Sequence, residues 1–110
     1  MLAERHGIER ADMLEVMGGS AIGSPFVKYK TAALVAGDCS STFTTELMYK
    51  DLGLILEAAQ DVAVPLPRTA LTGQFVQSCI ATGMGDWDLT ALLPRLQRDA
   101  GIALDAPPSV

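Results

Sequence analysis

The sequence predicts an all-α domain, an orthogonal helical bundle of about five helices, and three observations carry that prediction. Apolar residues recur at intervals of three and four through most of the chain, and nothing alternates apolar and polar for long enough to make a strand. Glycine and proline punctuate this pattern at short intervals, as helix stops and starts do. A chain of 110 residues with 49% hydrophobic and 19% charged content fits one globular domain, residues 1–110, hiding roughly 65% of the surface its unfolded form exposes.

Taken in order, Met1 to His6 supply one or two helical turns ended by Gly7, a natural stop. Asp12 followed by Glu15 resembles a capping pair opening a short helix from Asp12 to Met17, which Gly18 and Gly19 break. Ser24-Pro25 is a strong start: serine can cap free amides, and proline at the first helical position loses nothing because its missing N–H would be unpaired. That helix runs through Phe26, Val27, Tyr29, Lys30, Ala33 and Leu34 and stops near Gly37, before a polar loop from Asp38 to Thr42. The longest helix spans Thr44 to Val62, where Leu47, Met48, Leu52, Ile55, Leu56, Ala59 and Val62 paint one broad apolar face. Lys50, Glu57 and Asp61 fall outside it. Gly53 costs about 1 kcal/mol relative to alanine there, which leads to the expectation of close packing against a neighbour.

Pro65-Leu66-Pro67 ends this helix and seeds the next, with Pro67 in its first turn. That helix reaches about Thr82, with Leu71, Phe75, Val76 and Ile80 as core candidates, and Gly83 and Gly85 close it. Asp86 or Asp88 caps a last helix from about Leu89 to Ala100. Pro94 is comfortable only in the first turns, so this helix is kinked there or starts later. Residues 104–110 are proline-rich and expected to fray.

Composition excludes several classes of function. The net charge is −5, and only three of the eight cations are lysines. A phosphate-backbone binder needs clustered Lys and Arg, so nucleic acid is not an expected partner. The longest apolar run, Ala32 to Ala36, has five residues, against the ~20 of a membrane helix, and no signal peptide precedes it. The expectation is a soluble, cytoplasmic chain without membrane contact. Cys39 and Cys79 match no metal spacing and read as reduced thiols in or near the core. Asp86 and Asp88 are ordinary caps rather than a carboxylate pair or metal site. His6, the one histidine, reads as a surface residue, and Met13, Met17 and Met48 as core filler. Trp87 packs over helix ends and, if partly exposed, is an interface candidate. No nucleophile elbow or Walker loop is present, and Gly83-x-Gly85 follows no strand, so it makes a turn and no phosphate cradle.

Three stretches together resemble the C-terminal domain of the β-hydroxyacid dehydrogenases, the family of 3-hydroxyisobutyrate dehydrogenase and tartronate semialdehyde reductase. The first is Gly18-Gly19-Ser20-Ala21-Ile22-Gly23-Ser24, a Gly/Ser-rich break before a helix. The second is Phe43 followed by Lys50-Asp51-Leu52-Gly53-Leu54 and Glu57-Ala58-Ala59. The third is Val64-Pro65-Leu66-Pro67, then Gln74, then Gly83-Met84-Gly85-Asp86-Trp87-Asp88-Leu89-Thr90-Ala91-Leu92. Lys-Asp-Leu alone is a weak signal; the ordered combination covers nearly the whole chain.

The resemblance implies the fold of the 6-phosphogluconate dehydrogenase C-terminal domain and a role in an NAD- or NADP-dependent oxidoreductase acting on a small β-hydroxyacid. It implies that Lys50 reaches the cofactor and substrate cleft and that Phe43 lines it, while Asp51 orients the start of its helix. By residues alone, the plainer reading of Lys50 is a solvated cation paired with Glu46, worth under ~0.5 kcal/mol. A compact cation beside a cleft also suits an anionic ligand. In the family the catalytic lysine lies on the helix joining two domains, and Met1 to His6 looks like that helix's tail. The expectation is therefore a piece of a larger enzyme, without its Rossmann domain, with no catalytic residue of its own and inactive in isolation. Alone it would bind no cofactor and no metal, and would associate as a homo-oligomer, a dimer foremost. The alternative is a non-catalytic helical oligomerisation or protein-interaction module.

Overall fold

The computed structural model describes residues 1–103; the tail expected to fray, 104–110, lies outside the described residues. Six α-helices follow one another: α1 (Leu2–Arg5), α2 (Arg10–Gly19), α3 (Pro25–Ala36), α4 (Thr45–Asp61), α5 (Pro67–Ala81) and α6 (Leu92–Asp99), with a 3-10 turn at Leu89–Ala91 leading into α6. No strand forms among the described residues, and an isolated bridge joins Thr44 to Asp88. No helix among them is long and apolar enough to cross a membrane.

Most helix boundaries follow from the predicted capping chemistry. Ser24 Oγ accepts the Val27 amide ahead of Pro25, and Gly37 closes α3 in the left-handed conformation. Thr44 caps α4 by accepting the Leu47 amide. Gly83, at φ +84°, reverses the chain after α5. Pro94 falls in the first turn of α6 because the preceding turn winds as 3-10, so the later-start alternative holds. The α4–α5 connection turns at Ala63, whose φ of 55° is left-handed for a residue with a side chain; the helix has thus already ended before the prolines.

Other boundaries differ from expectation. α2 begins at Arg10, not Asp12; Glu9 stands at its N-cap without a side-chain bond, and Asp12 lies in the first turn, where its charge suits the helix dipole. Gly18 and Gly19 are the last residues of α2 rather than a break before it ends. Within that stretch Gly23 is the position that requires glycine: a Cβ there would clash with the Gly18 carbonyl oxygen and stand 3.0 Å from that of Met17. Backbone cannot yield as a side-chain tip can. Gly23→Ala is therefore expected to lower unfolding stability by about 1–3 kcal/mol, the usual range for overpacking, measured by urea denaturation; an unchanged midpoint would contradict this account of the turn.

The core lies under α5, the 3-10 turn and α6, where Cys79, Met84 and Ala91 are buried together with Trp87 and Leu92 packed on them. Val76 and Cys39 are also buried. Burial raises both thiols above their ordinary value, so Cys39 and Cys79 are protonated, free and inert as nucleophiles at neutral pH. Of the predicted core residues, Leu71 and Phe75 are instead exposed, as are Leu47 and Ile55 of α4, Val62 just beyond it and Met13 of α2. His6 is exposed as expected, and Trp87 is half-buried. The apolar periodicity is real, but the described residues do not cover the whole stripe.

At the opposite end of the chain, Arg10 ties three helices together. Its guanidinium donates to Glu4 Oε1 at 2.6 and 2.9 Å and to the Leu34 carbonyl at 3.0 Å. Arg5 donates to the Ala100 carbonyl at the end of α6 (2.8 Å).

Candidate functional site

The entry to α4 is where the chain's polar organisation converges. Asp88, 1% exposed, stands between α5 and the 3-10 turn, and Lys30, 6% exposed, reaches it from α3. Lys30 Nζ donates to Asp88 Oδ2 at 2.8 Å and to Thr42 Oγ1 at 2.9 Å. The same carboxylate oxygen accepts the Thr42 amide and hydroxyl, each at 3.1 Å, and the Phe43 amide at 3.4 Å. Oδ1 accepts the Thr90 amide and hydroxyl at 3.1 and 3.0 Å. Burial pushes the Asp88 carboxyl up, but the bonds from Lys30, Thr90 and Thr42 outweigh it and hold the group well below the usual carboxylate range.

Backbone bonds continue the arrangement. The Leu89 amide donates to the Phe43 carbonyl (3.0 Å), the Asp88 amide to Cys39 (3.0 Å), the Thr45 amide to Trp87 (2.8 Å) and the Glu46 amide to Gly85 (3.1 Å). The Gly83-to-Leu92 stretch thus grips the loop that carries Phe43 and the first turn of α4. Asp88 does cap the following turn, as predicted, while its second oxygen serves Lys30 and the Phe43 loop.

Phe43 is half-buried in this loop. Lys50 lies in the second turn of α4, not at its start, with its side chain 61% exposed and paired at 3.1 Å with Asp51. The expected pair with Glu46 does not form; Glu46 turns towards Gly85, where an added Cβ would meet its carboxylate at 2.7 Å. An exposed ion pair between neighbours contributes little, so the cation is open to another anion. Leu47 and Leu54, three and four residues from Lys50 and hence on its face, are also exposed. A cation between two uncovered leucines is unlike an ordinary solvated helix face. A groove of about 360 Å³ elsewhere, between α1, α2 and the end of α6, is lined by Glu4, Arg10, Val35 and Gln97 among others and includes neither Phe43 nor Lys50.

Lys30 was not among the residues the sequence singled out. Its signal was nonetheless present: it shares a face of α3 with Val27 and Leu34, both partly buried, and a lysine in an apolar stripe asks for a buried carboxylate.

Among the described residues the domain is all-helical and presents the Lys50 cation beside exposed Leu47 and Leu54. Comparison with known proteins gives the domain its family. The model described as NAD-binding of NADP-dependent 3-hydroxyisobutyrate dehydrogenase matches residues 1–96. The chain belongs to this family of NAD(P)-dependent β-hydroxyacid dehydrogenases, as its C-terminal helical domain. It is 31% identical over 105 residues to 2-(hydroxymethyl)glutarate dehydrogenase of Eubacterium barkeri, covering 94% of this chain and 35% of the relative. To 3-sulfolactaldehyde reductase of Escherichia coli it is 32% identical over 90 residues, covering 81% and 30%. The crystal structure of 3-hydroxyisobutyrate dehydrogenase from Salmonella typhimurium superposes with a TM-score of 0.80 at 28% identity, over 86% of this chain and 33% of that one. The chain thus spans about a third of the length of the relatives it matches.

Proposed function

We propose that this domain forms the helical wall of a cofactor and substrate cleft in an NAD(P)-dependent dehydrogenase of small β-hydroxyacids, with a nucleotide-binding domain outside these 110 residues as the other wall. The observation that supports this reading is the exposed Lys50 of the Lys50-Asp51-Leu52 stretch, between exposed Leu47 and Leu54. A bound nicotinamide would supply the hydride acceptor for the carbinol carbon, or the hydride donor for the corresponding carbonyl carbon. Lys50 offers three N–H donors to an anionic group of cofactor or substrate, leaving Asp51 to do so, and Phe43 gives the cleft an apolar edge that excludes water. No residue of this chain is assigned the proton transfer, so the domain is inactive and without cofactor when alone.

The test is a graft in which this chain replaces the matched third of the Salmonella typhimurium dehydrogenase. NAD(P)-linked oxidation of a small β-hydroxyacid is the expected result. A folded graft without turnover would count against the reading.

A second role, subunit contact, is supported by the apolar surface the chain leaves open: Phe26 is 53%, Tyr29 65% and Leu71 59% exposed. Such surface favours association, and a homodimer is expected by sedimentation. A monodisperse 11.6 kDa species in dilute solution would refute it.

A further inference from the structure

We infer that the buried Lys30–Asp88 pair is a positioning device for the cleft, setting Phe43 and the start of α4, and through α4 the placement of Lys50. The inference rests on the reading of Phe43 and Lys50 as cleft residues. Asp88 is joined to three separate segments at once: α3 through Lys30, the loop through Thr42 and Phe43, and the 3-10 turn through Thr90. Of these, only the loop leads directly into the cleft wall. The Phe43 amide donates to Asp88 and its carbonyl accepts Leu89, so the residue is held by its backbone on both sides while its ring stays half-buried. Thr45, 1% exposed, fastens the next step, its amide and hydroxyl both donating to the Trp87 carbonyl.

A buried ion pair is an expensive way to gain stability, since well-packed apolar residues of similar volume often serve as well. What it supplies is directionality. Lys30 donates to both Asp88 and the Thr42 hydroxyl, which itself lies 3.1 Å from Asp88, closing a triangle that fixes the loop against α3. An apolar replacement would pack there without fixing the loop's register.

The test uses the graft and steady-state kinetics of Lys30→Met, with Lys30→Met/Asp88→Asn as the second variant because it leaves no uncompensated charge. A pair that merely stabilised the fold would lower the concentration of active enzyme and leave KM alone. A positioning pair raises KM, by about tenfold, because a displaced Phe43 and Lys50 hold the bound ligand less tightly. Phe43→Ala is measured alongside. A raised KM in Phe43→Ala and in whichever Lys30 variant remains folded supports the inference. A raised KM in Phe43→Ala with unchanged KM in the folded Lys30 variants overturns it and leaves the cleft reading standing. An unchanged KM in Phe43→Ala overturns the cleft role of Phe43 and this inference with it. Should both Lys30 variants unfold, the pair is a structural requirement and the positioning role fails.

Discussion

Asp88→Ala is expected to destabilise the chain by about 3–5 kcal/mol, the range for removing one partner of a buried pair. Total stability for a domain of this size is about 5–15 kcal/mol, so the variant stands close to unfolding. The loss has two parts. Lys30 keeps its charge in a site where it is 6% exposed, with Thr42 Oγ1 as the remaining partner among its bonds. The Thr42 and Thr90 amides and hydroxyls also lose their acceptor. Lys30→Met should cost less, because Asp88 then keeps the donors of Thr42, Phe43 and Thr90. Denaturant unfolding followed by far-UV circular dichroism reads both. Equal costs, or a loss below about 1 kcal/mol for Asp88→Ala, the net worth of one ordinary hydrogen bond, would show that the carboxylate is not the hub described.

The same carboxylate dictates an acid response. Its folded-state affinity for protons is depressed, so the unfolded chain takes up the proton first. Stability from this group is fully present above the ordinary carboxylate value near 3.9 and falls as pH drops below it towards the lower folded value. Asp88→Asn should flatten that part of the stability curve.

In the graft, Lys50→Ala is expected to raise the KM for cofactor or substrate by about 10- to 100-fold, the equivalent of one lost hydrogen bond to a charged group. If Lys50 holds ground and transition states alike, kcat changes little. Since Lys50 pairs with exposed Asp51 only at the surface, its removal should leave the fold's stability within about 0.5 kcal/mol. Unchanged kinetic constants would remove Lys50 from the site.

Much of this architecture was legible because it is written in local chemistry. Ser24-Pro25, Gly37 and Pro67 each act within one helical turn, and their boundaries follow from capping alone. Leu71 and Phe75 misled because periodicity reports that a face is apolar without saying what covers it, and here part of the stripe remains open. Lys30 and Asp88 lie 58 residues apart; single-sequence patterns carry no such pairing, although a lysine in the apolar stripe of α3 was a partial clue. Phe43 and Lys50 were indicated by resemblance, since an exposed lysine on a helix has no signature of its own. What the geometry added is the fixed loop before α4 and the uncovered leucines around Lys50.

Calorimetric titration of NAD and of NADP into the 110-residue chain tests whether this domain is one wall of a two-walled cofactor cleft. No saturable heat is expected up to millimolar concentration, because a single wall offers Lys50 and an apolar edge but, among the described residues, no cradle for the pyrophosphate. Saturable binding of either nucleotide would contradict it and assign a self-contained cofactor site to the helical domain.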